Sequence, residues 1–553
     1  MQKSKQPIET DYVIVGAGSA GCVLAHRLSE DPNVHVVLVE AGGSDERLIM
    51  QMPSAFYLPI ANKELNWGYS SDPEPNMGNR RIACPRGRVL GGSSSINGMV
   101  YVRGHRQDFD HWHELGATGW GYDQVLPYFK RAQHHQGIDS PDAYRGHNGP
   151  LHTLDGKQHN PLYAKFLEAA AQAGHQLHDD LNGAEQEGFG PLTMTIHKGR
   201  RASTAQAYLK PALERPNLHI IRKTLVSHIN LAQGKATGVT LIDRRNRSLT
   251  QVIAGRETLV CAGAIGSPTL LQHSGIGPSE VLSAAGVETL VESSGVGSNL
   301  MDHLEVYVQQ ACTQPISLYR DLSLIGRAKI GMRWLLKQNG LGATNHFETG
   351  GFIRSQPSAA QPDIQFHFLP AAMSYDGSAK AGQHGFQCHV GPMLSPSRGS
   401  IRITSRDPFD APRIRFNYMS HDEDWRTFRA AIRAARELFA QSAFDDVRGQ
   451  ELAPGPVATS DAALDQFVRE HAESAYHPCG TCKMGTDEQA VVDPQGRVHG
   501  VENLRVADAS VFPRITNGNL NAPTIMLAER MADFIRNSQS SRASHTDPGP
   551  NTR

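Results

Sequence analysis

The sequence predicts an α/β protein with two kinds of sheet, and three stretches carry that prediction. Residues 11–40 read strand, Gly-rich turn, helix, strand. Residues 311–460 alternate apolar and polar in short runs, such as Ile364 to Phe368, Phe386 to Val390 and Ile401 to Thr404, and then turn helical over 420–441. Leu504 to Ala507 reads as one more strand, and 522–536 as an amphipathic helix with Ile525, Leu527 and Met531 inward.

The first stretch is the most specific. Tyr12 to Val15 is a buried strand, Gly16-x-Gly18-x-x-Gly21 follows, Ala20 to Leu28 has helical spacing, and Val34 to Val39 is a second strand ending in Glu40. This is a complete Rossmann-like βαβ unit. Gly16 permits the tight turn, Gly18 lets backbone approach a pyrophosphate, and Gly21 lets helix and strand pack closely. Free N–H groups at the helix start face the phosphates. A carboxylate at Glu40 accepts hydrogen bonds from a ribose diol and repels a 2′-phosphate, which favours FAD or NAD over NADP.

Residues 41–86 form a loop region rich in Pro, Gly and Asn, long enough to be expected over a cofactor. Gly87 to Gly98, with Gly91-Gly92-Ser93-Ser94-Ser95, allows backbone to lie against a flat ring or a phosphate. Residues 160–174 read as a helix, 218–231 and 236–260 as antiparallel strands, and a short helix is expected from Ser267-Pro268. A helix over 461–475 stops before Tyr476-His477-Pro478, and Asn521 sits where the last helix needs an N-cap. The segment 322–337 (LSLIGRAKIGMRWLLK) is apolar and basic; it reads as a packed helix, with a peripheral membrane contact through Trp334 and Leu335 as the alternative. The polar tail after Arg536 reads as disordered.

The whole chain narrows the function classes. Its 553 residues exceed one simple core, so two domains or one elaborated domain are expected. Lys+Arg 54 against Asp+Glu 55 leaves no bulk field for nucleic acid or an anionic surface. Seven scattered cysteines, a polar N-terminus and no long apolar run point to a reducing, cytoplasmic setting. Cys479-Gly480-Thr481-Cys482 has no second CxxC or His pair, and His111/His113 and His175/His178 lack the rest of a ligand set, so no metal site is expected. No second Gly-rich fingerprint follows a strand, so NAD(P) is not expected beside the first nucleotide.

Two residues stand out as chemistry. His477 lies at a chain break, where an imidazole can act as a general base, and Asn521 lies at a helix start that favours negative charge.

Four stretches, Gly16 to Glu40, Gly87 to Gly104, Gly263 to Gly277 and His477 to Gly485, together resemble the glucose-methanol-choline (GMC) flavoprotein oxidoreductases over nearly the full chain. The runs 345–355, 385–391 and 416–421 resemble the choline-oxidising branch of that family. The resemblance implies a discontinuous FAD-binding domain (8–158, 201–310 and 465–537), a cap segment (159–200), a substrate domain (311–464) whose six-stranded antiparallel sheet roofs the flavin, and a tail (538–553). It implies FAD contacts from Gly16, Gly18, Ser19, Ala20, Gly21, Glu40, Ala41, Trp67, Gly91, Gly92, Ser94, Asn97, Gly98, Met99, Val100, Val226, Ala262, Gly263, Asp508, Ala509, Asn519, Pro523 and Thr524. Some members bond the flavin through a His at the position of Ile96, so dissociable FAD is expected here. The implied reaction is proton abstraction from a primary alcohol by His477, with Asn521 as its partner, and hydride transfer to flavin N5. Choline is the expected substrate and a quinone the expected acceptor; aliphatic alcohols, and a flavin-dependent lyase on the same scaffold, are the alternatives. Glu348 with Phe347, and Tyr476, are the expected cation site for a trimethylammonium group.

Overall fold

The computed structural model describes residues 6–137, 142–374 and 383–544, with side chains to 538. Two seven-stranded sheets organise the chain. The first has Ile8–Val15 near its centre, with Val36–Glu40 and then Leu218–Arg222 on one side and Leu249–Val260 on the other, all parallel. Leu504–Val506 joins Leu249–Val260, also in parallel. The first strand is flanked by one strand that follows it and one that comes far later, so a crevice opens at the carboxyl ends. Val15, Glu40, Cys261 and Asp508 therefore arrive at one place from four separate parts of the sequence.

The antiparallel expectation for 218–260 holds only in part. Leu218–Arg222 pairs in parallel, and Lys223, with φ 58°, turns the chain before the antiparallel run Thr224–Ala232, Lys235–Asp243 and Leu249–Val260. The helix expected from Ser267 begins earlier and spans Gly263–His273. Ser267 Oγ instead donates to Asp508 and accepts from the N–H of Ala262, tying the helix start to the neighbouring strand end.

The second sheet runs Arg448–Ala453, Leu304–Cys312, Gly385–Pro392, Ile364–Leu369, Thr349–Ile353 and Gly188–Pro191, with Glu473–Ser474 paired beside Leu304. It has one strand more than expected, and Leu304–Cys312 lies inside it although the 201–310 boundary would assign most of that strand to the nucleotide domain. Ser400–Arg402 stays out and forms a separate two-stranded sheet with Arg413–Arg415.

Strand alternation divides the two faces of this sheet. Val306, Val308, Phe366, Phe368, Phe386 and Val390 share a core with Phe428, Ile432 and Leu438 of the helix Asp422–Ala440. Glu305, Tyr307, His367 and His389 take the other face, with Tyr307 opposite His389 and His389 opposite His367. The polar face therefore looks into the crevice of the first sheet.

The helix Ser19–Leu28 packs against the last helix, Asn521–Ser544, through the Arg27–Glu529 ion pair at 2.8 Å. That last helix continues past Arg536, so the chain between 537 and 544 is helical where disorder was expected. The remainder of the expected tail lies outside the described residues. Helix Leu324–Lys337 turns Trp334 inward, where its indole N–H donates to the Gly199 carbonyl at 2.7 Å.

Candidate active site

The crevice between the sheets is a cavity of about 920 Å³. Gly16, Gly18, Ser19, Ala20, Glu40, Ala41, Trp67, Gly92, Asn97, Gly98, Met99, Val100, Val226, Ala262, Gly263, Asp508, Ala509, Asn519, Asn521 and Thr524 line it. Gly21, Gly91, Ser94 and Pro523, also expected at the nucleotide, do not. Gly21 packs where a Cβ would come 1.9 Å from the Gly16 carbonyl. Gly91 donates to Ala17, and the Ser94 hydroxyl donates to Gly91, so both brace the wall from behind. Pro523 sits in the first turn of the last helix.

These walls fit a dinucleotide. Gly18 at the N-cap of Ser19–Leu28 offers no capping side chain, and the first turn holds no acid, so the N–H groups there are left for an anion. Gly92 lies so near Gly18 that a Cβ on it would sit 2.7 Å from the Gly18 Cα. Glu40 is buried, and burial pushes its pKa up to about 7 against the opposing donors Gly42 N–H and Ala17 N–H, at 2.7 and 3.0 Å. The loop region 41–86 contributes Phe56, Tyr57, Ile60 and Trp67 to the wall, as its length suggested.

At the other end sits His477. Its backbone N–H donates to Asp302 at 2.7 Å, and the same carboxylate accepts from Tyr418 and Ser474. Tyr476 just before it lines the cavity with φ 67°, a left-handed conformation costing about 1–3 kcal/mol and held by these neighbours.

The hydrogen-bond chain through the imidazole settles its tautomer. A carbonyl only accepts, so His303 Nε2–H donates to the Met393 carbonyl at 2.9 Å. His303 Nδ1 is then the acceptor, and His477 Nδ1–H donates to it at 3.0 Å. His477 Nε2 is left with its lone pair. It faces the Asn519 amide, whose Nδ2 donates to it at 3.1 Å while Gln365 donates to Asn519 Oδ1 at 3.2 Å. Burial, reinforced by the neighbouring His303 and Arg86, lowers the His477 pKa well below the usual imidazole range. The ring is therefore neutral and able to accept a proton.

Asn519 thus takes the place expected for Asn521. The Asn521 carboxamide accepts from Ser19 Oγ at 2.7 Å and ties the two helix starts together. The physical reason is local: Asn519 precedes the helix and can reach sideways, while Asn521 is already its first residue.

Glu348 is a second correction. It is buried outside the cavity, accepting from Thr344 Oγ1 at 2.7 Å and from the Gln158 N–H. Phe347 lines the cavity, whereas Glu348 next to it does not. Glu305, on the polar face of the second sheet, is a carboxylate that does line the cavity. His389 Nδ1 lies 3.1 Å from its carboxylate, and Phe347, Tyr307 and Tyr476 stand on the same walls. Asp302, His303 and Glu305, absent from the expectations, come from one Asp-His-Leu-Glu run at the start of a strand; their only sequence signal is charge and polarity entering a buried alternating segment.

Cys479 and Cys482 are free and buried, and burial raises both thiols well above the usual range, so neither is a ready thiolate.

Burial also depresses His303, His346 and His367 from 6.5 to about 4. The unfolded chain takes up these protons first, so the native state loses stability as pH falls from about 6.5 toward 4, by on the order of 1–3 kcal/mol for each ring. Thermal melts across that window should show a falling Tm. A flat Tm would mean these rings are already charged in the native protein.

Residues 10–305 and 395–528 match the two family models described as GMC oxidoreductase. The chain belongs to the GMC oxidoreductase family. It is 53% identical over 548 residues to a protein of Brucella canis named oxygen-dependent choline dehydrogenase, covering 99% of each chain. It is 54% identical over 549 residues to one of the same name from Rhizobium etli, again covering 99% of each. Among solved structures, pyridoxine 4-oxidase of Mesorbium loti matches with TM-score 0.85 and 32% identity over 95% of this chain and 98% of that one. Formate oxidase matches with TM-score 0.91 and 27% identity over 97% and 100%. As a GMC oxidoreductase the chain is an FAD enzyme, and the glycine-walled crevice is where FAD fits. Ile96, buried on that wall, offers no nucleophile for a covalent link.

Proposed function

We propose that this GMC oxidoreductase oxidises choline to betaine aldehyde. The observation that carries the reading is the Glu305 carboxylate, walled by Phe347, Tyr307 and Tyr476, in the same cavity as a neutral His477. A quaternary ammonium has no N–H to donate, so it is recognised by a carboxylate and by aromatic faces, each face worth about 0.5–2 kcal/mol. The named relatives carry choline in their own names.

In this reading Glu305 and the aromatic walls hold the cationic head, which leaves the hydroxyl end for His477. His477 Nε2 takes the hydroxyl proton, and the bond from His477 Nδ1–H to His303 keeps that nitrogen available. The bound hydroxyl oxygen replaces His477 Nε2 as acceptor of the Asn519 Nδ2–H, which frees that lone pair for the proton and stabilises the oxygen as it becomes an alkoxide. When bound, FAD supplies the acceptor for a hydride from the carbinol carbon and is reoxidised by an external two-electron acceptor, a quinone in our reading. The hydrated aldehyde presents the same hydroxyl and C–H, so the same residues serve a second oxidation to glycine betaine. NAD(P) has no part in it, and a peripheral membrane contact accompanies the quinone.

Anaerobic addition of choline to the purified protein should bleach the flavin, and hexanol should do so far more slowly. Bleaching by hexanol alone would move the substrate to neutral aliphatic alcohols. No bleaching by any alcohol would leave a lyase on this scaffold.

A further inference from the structure

A row of hydrogen bonds runs along the polar face of the second sheet and ends at Glu305. Residues two apart on a strand share a face, so Glu305, Tyr307 and Gln309 of Leu304–Cys312 stand with Gln387 and His389 of Gly385–Pro392. Gln309 and Gln387 are opposite each other in register and are 2% and 1% exposed, so water does not substitute for their partners. Every donor in the row can be assigned. The Met373 carbonyl only accepts, so Gln309 meets it at 2.7 Å with its amide nitrogen, Nε2. That nitrogen also donates to Gln387 Oε1 at 2.8 Å, and the Met373 N–H, which only donates, meets the same oxygen at 2.8 Å. Gln387 Nε2 is therefore the end that faces His389 Nε2, at 2.7 Å. It donates, so His389 Nε2 carries a lone pair. The ring proton is on Nδ1, which donates to Glu305 Oε1 at 3.1 Å.

We infer that Gln387 is a positioning residue for the cation site: its amide holds His389 as the neutral Nδ1–H tautomer, so that this imidazole orients the Glu305 carboxylate without neutralising it. An imidazolium would have to point a second N–H at the Gln387 NH2 group. Turning that amide over would only move the conflict, because its NH2 would then face the Gln309 amide nitrogen and the Met373 N–H. The assignment matters because a protonated His389 would form an ion pair with Glu305 and offset the charge that a quaternary ammonium needs. The other titratable groups facing His389 are Tyr307, stacked on it with centroids 3.8 Å apart, and His367, 6.5 Å away and kept neutral by burial. Neither adds a negative charge that would draw a second proton to the ring. The inference rests on the choline reading for the identity of the ligand, and adds to it the residue that sets the charge of the site.

The test is Gln387→Glu in the FAD-bound protein, with retained FAD absorbance reporting the fold. The new side chain keeps an oxygen for Gln309 and Met373 and replaces the donor facing His389 by an acceptor, so only an imidazolium can donate to both carboxylates. The KM for choline should rise at least about ten-fold, while that for its carbon isostere, with a tert-butyl group in place of trimethylammonium, should change far less. Gln387→Met, which removes the donor without adding charge, should move the two KM values in the same directions. Adding His389→Gln to Gln387→Glu removes the ring that takes the proton and should restore the choline KM. Nitrogen NMR of labelled histidines at about pH 7 reads the ring directly, with His389→Gln assigning its signals. Wild type should show one protonated and one bare nitrogen, and Gln387→Glu two protonated ones. An imidazolium in wild type, a neutral ring in Gln387→Glu, an equal rise in KM for both alcohols, or no rescue in the double variant overturns the inference. A wild type with the neutral Nδ1–H ring whose flavin choline does not bleach upholds the role of Gln387 and overturns the choline reading alone.

Discussion

Replacing His477 by Ala should lower kcat/KM for choline by about 10²–10⁴-fold, the range for loss of a positioned general base, while FAD stays bound. The imidazole reaches the cavity from a loop and makes no part of the glycine cradle, so the nucleotide site does not depend on it. The pH profile carries a second expectation. A neutral His477 is required, and its pKa is lowered by burial, so activity should persist below pH 6.5 and fall only on further acidification. His303→Phe should preserve burial but remove the acceptor for His477 Nδ1–H, freeing the ring to adopt the other tautomer. That variant should lose kcat with little change in KM. Full activity in the Ala variant would remove His477 from the chemistry.

Glu305→Gln should raise KM for choline about 10²-fold, equivalent to about 2.7 kcal/mol, because one partner of a nearly desolvated charge pair is lost. Turnover of a neutral alcohol should change far less, since it presents no cation to that carboxylate. Glu348→Gln is the matched control: its carboxylate is engaged with Thr344 and the Gln158 N–H outside the cavity, so any effect should be common to both substrates. Selective loss of choline in the Glu348 variant, with none in the Glu305 variant, would reverse the assignment.

The chain is most legible as a sequence where one residue type has one local job. Gly16, Gly18 and Gly21 are demanded by a turn and by close approach, and a strand, a helix and Glu40 frame them; all of that information lies within thirty consecutive residues. The antiparallel character of the second sheet was legible for the same reason, as alternation in Ile364–Leu369 and Gly385–Pro392. His477 was legible from its break before Pro478 and from the motif that follows.

The partner of His477 was not. Asn519 and Asn521 differ by two positions and by nothing in type, and only the start of the last helix decides which one turns toward the imidazole. The carboxylate was missed in a similar way. Glu305 lies near the start of one strand and Glu348 just before another, but Glu305 lines the cavity while Glu348 is hydrogen-bonded outside it.

The amino-acid order by itself determined the nucleotide-binding unit, the α/β class and the choice of His477 as the candidate imidazole, because spacing over a few residues sets turns, strand faces and helix starts. The tertiary structure alone decided that Asn519 and not Asn521 bonds that imidazole, that Glu305 and not Glu348 lines its cavity, and that the apolar face of helix Leu324–Lys337 looks outward. Those outcomes depend on how two sheets and their helices pack across hundreds of residues, and no local pattern encodes that packing.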